Sequence, residues 1–176
     1  MLVAGPPGSG KTTLAVPLAA ALGLPLISKD VIKEALMDAL GAPATVEESR
    51  QLGRAAVASM YAVAQASAGA VLESNFTALA VPSLQALPGA IVEVRCCCPR
   101  EVALARYRAR AESRHPGHLD GAREDSEIWN EDLLTPLGLG PLIEVDTSEP
   151  VDVSHLVERI RAVATIAAWR PQPSNH

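Results

Sequence analysis

The feature that most limits what this chain can fold into is Gly5-Pro6-Pro7-Gly8-Ser9-Gly10-Lys11-Thr12. It satisfies G-x-x-x-x-G-K-[ST] at every fixed position, a pattern that needs a strand before it and a helix after it. Both flanks comply. Leu2, Val3 and Ala4 form a short apolar run fit to end a buried strand, and Thr13 to Leu22 reads as a helix. Glycines let such a loop turn its N–H groups inward, and the helix N-terminus adds positive potential for an anion. In that arrangement Gly5 to Thr13 cradle phosphates, Lys11 reaches the β- and γ-phosphates, and the Thr12 hydroxyl ligates Mg²⁺. The ligand expected from these residues is a nucleoside triphosphate.

The rest of the chain alternates in the same way. Gly23 closes the first helix, which carries Pro17 and with it a missing backbone donor. Leu24 to Ser28 reads as a second strand, leading through Lys29-Asp30 into a helix over Val31 to Leu40. Thr45-Val46-Glu47-Glu48 has the form of a capping box and starts a long helix to about Ser67. Further strands are expected at Ala70 to Glu73, Ala90 to Cys97 and Leu142 to Val145. Helices are expected over Ala78 to Ala86, from Pro99 through Arg110, and from Val153 to about Trp169. Five short apolar strands alternating with helices imply an α/β fold, a parallel sheet covered on both faces. Ligands of such sheets sit at the carboxyl ends of the strands. Gly5–Thr12, Asp30, Glu73–Asn75 and Asp146–Pro150 all fall there, so they are expected along one edge.

Composition narrows the partners. The 176 residues suit one domain with a real core, expected over residues 1–170 with a polar tail at 171–176. A net charge of −5 and five aromatic residues leave little of the basic field or stacking platform that binding long nucleic acid requires. The three cysteines, Cys96-Cys97-Cys98, close a strand-like run, where neighbouring side chains point to opposite faces and a disulfide among them is disfavoured. With no spaced zinc ligands, no signal-peptide pattern and no bilayer-length apolar run, the expected location is the cytoplasm, away from membranes.

From Ser28-Lys29-Asp30-Val31-Ile32-Lys33-Glu34 onward the chain resembles the small P-loop kinases. That group includes the kinase part of polynucleotide kinases, chloramphenicol phosphotransferase-like enzymes and zeta-toxin-like sugar-nucleotide kinases. The resemblance implies a three-layer, nucleoside-monophosphate-kinase-like P-loop fold with a small helical lid, here about residues 112–132. It implies ATP and Mg²⁺, with Asp30 accepting the proton of the acceptor hydroxyl and Lys33 helping to hold substrate. Asp30 also stands where an aspartate often caps a helix. By the same resemblance Glu73, usually an aspartate, faces Mg²⁺ or its water shell, and Asn75 lies near the acceptor. Arg106, Arg110 and Arg114 recur at a spacing that shares one helical face, beside Arg108 and ahead of the lid. Of these, Arg110 and Arg114 are the foremost candidates to neutralise charge on the transferred phosphoryl group. Asp146–Pro150 corresponds to a loop that packs against adenine, or is a turn before a helix capped by Asp152. His115 and His118 read as lid-loop residues, and the acids from Asp120 to Asp132 as a solvated face or a lure for an amino sugar.

The expected activity is an ATP-dependent phosphotransferase acting on a hydroxyl of a small molecule: a sugar, amino sugar, nucleoside or antibiotic-like acceptor. A nucleotide or polynucleotide 5′-kinase, or an ATP-binding module without acceptor transfer, remains open. The guanine-reading Asn-Lys-x-Asp of a regulatory GTPase is absent.

Overall fold

The first strand is only three residues long, β1 at Leu2–Ala4, and the sheet grows outward from it on both sides. The computed structural model describes residues 1–111, 114–118, 129 and 131–168. After β1 come α1 (Lys11–Leu22), β2 (Leu26–Ser28), α2 (Lys29–Leu40), α3 (Val46–Gln65) and β3 (Val71–Glu73). A 3₁₀ turn at Ala78–Ala80 leads into α4 (Val81–Gln85), followed by β4 (Glu93–Cys97) and α5 (Arg100–Ala111). Two more 3₁₀ turns, Pro116–His118 and Glu131–Leu133, precede β5 (Leu142–Asp146) and α6 (Val153–Ala168). The strand order is β2-β3-β1-β4-β5, and every pairing is parallel.

Alternation along the strands divides the core between two faces. Val3, Val71, Val94 and Ile143 pack with Leu14 and Leu18 of α1 and Leu156 and Ile160 of α6. Leu2, Ile27 and Leu72 turn the other way, onto Met60 and Ala64 of α3 and Leu84 of α4. The same alternation exposes a polar pair inside β4. Glu93 and Arg95 are buried, and each is met by backbone: the Glu93 carboxylate accepts from the N–H groups of Leu137 and Leu139, and Arg95 Nη2 donates to the Leu133 carbonyl. A charged side chain can be buried in this way when backbone dipoles satisfy it.

Helix ends follow local chemistry. Gly23 ends α1 in a left-handed conformation, with Leu24 N–H on Ala19 O and Gly23 N–H on Ala20 O. The capping box at Thr45 and Glu48 forms as expected. Helix α3 stops at Gln65 rather than Ser67, where the Ser67 hydroxyl takes the Val63 carbonyl at 2.8 Å. Helix α2 begins at Lys29, two residues earlier than expected, so Asp30 lies within its first turn and is not its cap. Ser28 holds the N-cap position but makes no side-chain cap, because its hydroxyl is given to Glu73. Helix α5 is described to Ala111, and beyond it the Arg114 N–H donates to the Arg110 carbonyl at 3.0 Å. Most of the lid expected at 112–132, and the tail at 171–176, lie outside the described residues. Among the described residues no helix is long and apolar enough to cross a membrane.

Leu156, only 1% exposed, anchors α6 to the sheet. Leu156→Ala is expected to lower unfolding free energy by about 2–5 kcal/mol, the usual cost of a buried Leu→Ala cavity. Urea denaturation followed by circular dichroism measures it, and a negligible change would mean that α6 does not pack there.

Candidate active site

The phosphate loop joins β1 to α1, and its shape is set by what surrounds it. Gly8 has φ +78°, and a Cβ there would lie 2.0 Å from the backbone oxygen of Ala103 in α5. Only glycine fits. Pro6 and Pro7 carry no N–H, so they shape the loop, and the donors for an anion come from Gly8 onward. Lys11 is buried, and its Nζ donates to the Pro6 carbonyl at 2.8 Å, closing the loop on itself. Burial lowers the Lys11 pKa to about 8, although Glu73, Cys96 and Asp30 pull it up; Arg110 adds to the fall. Ser9 Oγ is buried with no hydrogen-bond partner among the described residues. An orphaned hydroxyl, a lysine short of negative charge and the exposed Thr12 and Thr13 at the helix start all suit a polyphosphate.

Three chain segments meet at Glu73. It is 3% exposed; Ser28 Oγ donates to its Oε2 at 2.5 Å and Thr12 Oγ1 to its Oε1 at 3.4 Å. Register explains the meeting, since both Val3 of β1 and Ser28 of β2 lie opposite Glu73 of β3. A hydroxyl and a carboxylate, both hard oxygen donors, beside a phosphate loop fit Mg²⁺. The extra methylene relative to aspartate carries the carboxylate across to Thr12, and among the described residues no lysine is hydrogen-bonded to it.

Asp30 stands next to this cluster. Burial pushes its carboxyl upward, but Lys29, with Nζ 3.0 Å from Oδ1, and Arg114, hydrogen-bonded to Oδ2, outweigh that and hold it well below the ordinary carboxylate range. Lys33, 2% exposed, points at α3, where Nζ donates to Ser49 Oγ at 2.7 Å. Ser49 Oγ in turn donates to Gly117 O at 3.2 Å. Residues 115–118 contact α2 as well: His118 Nε2 lies 2.7 Å from Glu34 and His115 Nε2 lies 3.2 Å from Asp38.

The three arginines part company. Arg106 donates to the carbonyls of Thr147 (2.8 Å) and Ser148 (3.0 Å), fixing the loop after β5. Arg110 stacks over Tyr107, 5.5 Å from the ring centroid. Arg114 reaches Asp30. The Thr147 hydroxyl also lies 2.6 Å from Ser9 O, which ties the post-β5 loop to the phosphate loop. Asp152 caps α6 through His155 N–H at 3.0 Å, so the turn serves the helix and lines a cavity at once.

Two cavities flank the loop. One, about 490 Å³, is bordered by Gly10, Thr13, Pro17, Arg106, Thr147 and Pro150. The other, about 530 Å³, is bordered by Lys29, Lys33, Ser74, Asn75 and Phe76, and by Arg50, Arg54 and Tyr61 of α3. The α3 residues and Phe76 escaped the sequence reading. Their signal is spacing, Arg50, Arg54, Val57 and Tyr61 falling on one stripe of α3. Cys96 is inert; burial pushes its thiol up to about 12 despite Lys11 nearby.

Because Lys11 loses its proton near pH 8, a triphosphate should bind with proton uptake above that pH and more tightly below it. The dissociation constant is expected to rise about tenfold per pH unit above 8, one coupled proton. Calorimetry in buffers of different ionisation enthalpy checks this; an affinity flat to pH 9.5 would contradict it.

Residues 1–126 match the AAA domain family. Among solved structures, a candidate kinase from Chloroflexus aurantiacus J-10-fl is 35% identical, with 92% of this chain and 96% of that one covered and a TM-score of 0.81. A gluconokinase from Sinorhizobium meliloti 1021 (21% identical, 95% and 92% covered, TM-score 0.54) has a similar fold. So does a shikimate kinase from Acinetobacter baumannii in complex with shikimate (16% identical, 96% and 94% covered, TM-score 0.57). No curated protein matches the chain. With its phosphate loop, parallel sheet and clustered strand ends, the chain belongs to the AAA domain family as a kinase-like P-loop protein.

Proposed function

We propose that this ATP-dependent kinase transfers the γ-phosphoryl group to a hydroxyl of a small molecule. The observation that supports the reading is that Glu73 links Thr12, at the phosphate loop, to Ser28, two residues before Asp30, with a cavity beside each of these segments. One abuts the helix that follows the phosphate loop; the other begins at Lys29 and Ser74, the chain neighbours of Asp30 and Glu73. A nucleoside fits the first, against Pro17, Thr147 and Pro150, and an acceptor fits the second, against Lys33 and Asn75.

Loop N–H groups from Gly8 to Thr13 and the Lys11 ammonium would bind the triphosphate, and Thr12 with Glu73 would hold Mg²⁺, directly or through water. Bound there, Mg²⁺ would neutralise charge on the phosphates. The bond from acceptor oxygen to γ-phosphorus forms as the bond from γ-phosphorus to the β–γ bridging oxygen breaks, and ADP leaves. Asp30, ionised across the neutral range, accepts a hydrogen bond from the attacking hydroxyl and takes its proton late. Its low basicity suits orientation more than early deprotonation, which a loose phosphoryl-transfer transition state hardly needs. Arg110, whose charge is felt at Lys11, and Arg114, beside Asp30, are placed to meet charge growing on the phosphoryl oxygens. Lid closure over about residues 112–132 would exclude water, which otherwise competes as acceptor.

The test is an assay with γ-labelled Mg·ATP and pooled hydroxyl acceptors. Label is expected in an acceptor; label only in inorganic phosphate, even with a cell metabolite extract, would contradict the reading. Asp30→Asn is expected to lower turnover about 10²–10⁴-fold, the range for a positioned acid–base group, while ATP binding survives. Normal turnover in that variant would remove Asp30 from the mechanism.

A further inference from the structure

The acceptor-side cavity has an unusual charge for this chain. Its wall carries Lys29, Lys33, Arg50 and Arg54, four of the fifteen Lys and Arg residues, and none of the twenty Asp and Glu residues. A protein with net charge −5 has gathered cations here against its overall sign. The nucleotide-side cavity differs: among its lining residues the one cation, Arg106, is committed to two backbone carbonyls, and the acid Glu149 lines the same cavity.

We propose that the acceptor is a small hydroxyl-bearing anion, its carboxylate or phosphate group held by Arg50 and Arg54. The inference rests on the kinase reading above and names the acceptor class of that same site. Arg50 and Arg54 stand one helical turn apart on α3, so their guanidinium groups can share one ligand. Both form ion pairs with Glu47, an acid outside the cavity wall, at 3.9 and 3.0 Å. All three side chains are more than half exposed, and an exposed pair of this kind holds weakly. A bidentate oxyanion offers each arginine a better partner. Lys33 adds positive charge from below the surface, where Coulomb attraction is screened least.

The remaining wall describes the rest of the acceptor. Tyr61 and Phe76 are two of only five aromatic residues in the chain, and they give the cavity an apolar side for a carbon skeleton. Burial raises the Tyr61 pKa, so its phenol stays protonated and can donate to an acceptor oxygen. A volume of about 530 Å³ suits a compact molecule. An amino sugar, which the acids between Asp120 and Asp132 made an option, would meet a wall of four cations offset only from outside it, by Asp30 and Glu47.

The test separates this inference from the kinase reading. Cell metabolites are split on an anion-exchange resin, and each fraction is offered to the full chain with γ-labelled Mg·ATP. Label transferred to a molecule of the retained, anionic fraction is expected. Transfer confined to the unretained fraction would overturn the anionic acceptor and leave a kinase. Transfer in neither fraction would overturn the kinase reading, and this inference with it. Phosphatase treatment of the active fraction before assay distinguishes the sources: activity lost means a phosphate group, activity kept means a carboxylate. With the active acceptor, Arg50→Gln and Arg54→Gln are each expected to raise its KM tenfold or more, with no comparable change in KM for ATP. An unchanged acceptor KM in both variants would overturn the assignment. Both side chains are exposed, so neither substitution threatens the fold.

Discussion

A single buried carboxylate ties the site together. Glu73 receives the hydroxyl of Ser28 from the end of β2 and that of Thr12 from the start of α1, so three chain segments converge on two oxygen atoms. The convergence follows from sheet order. With β3 between β2 and β1 in parallel register, the last residue of β3 lies beside the end of β2 and just below the phosphate loop. Burying a carboxylate without partners is costly, and two hydroxyl donors plus the nearby Lys11 ammonium offset that cost. The same hydroxyl donors make room for a divalent cation, because a hydroxyl can turn from donating to Glu73 to ligating through its lone pairs.

Charge around this point is balanced rather than simply positive. Burial strips Lys11 of part of its hold on a proton, while Lys29 and Arg114 keep Asp30 ionised against burial. A site arranged in this way is short of negative charge at the loop and holds a fixed negative charge at the acceptor side. On the proposed reading a polyphosphate supplies the first, and the acceptor hydroxyl uses the second. Arg106 acts at a distance from both. It grips the carbonyls of Thr147 and Ser148 in the post-β5 loop, which the Thr147 hydroxyl ties to Ser9 and which lines the cavity beside Gly10.

Much of this was legible in the sequence because it is local. The phosphate loop, the capping box at Thr45 and Glu48, and the strand ends at Glu73 and Asp146 depend on neighbours within a few residues. The start of α2 was misplaced because Ser28 looked like the end of a strand only, whereas its backbone caps the helix while its side chain serves Glu73. Arg114 was read as one of three residues on a helical face. Its partner, Asp30, is 84 positions away, and no periodicity reports on a contact of that range. The cationic cavity was missed for a related reason. Its wall combines α2, α3 and the segment after β3, and charges spread over three segments form no motif until the fold assembles them.

The most direct test of the account is the Mg²⁺ dependence of ATP binding in Glu73→Gln, a substitution that keeps size and an oxygen acceptor for Ser28. In the unaltered chain Mg²⁺ should tighten ATP binding. In the variant that gain should be largely lost, while binding of ATP without the metal persists through the loop and Lys11. If Mg²⁺ tightens ATP binding equally in both, Glu73 does not hold the metal, and the meeting of β2, β3 and α1 at its carboxylate serves the fold alone.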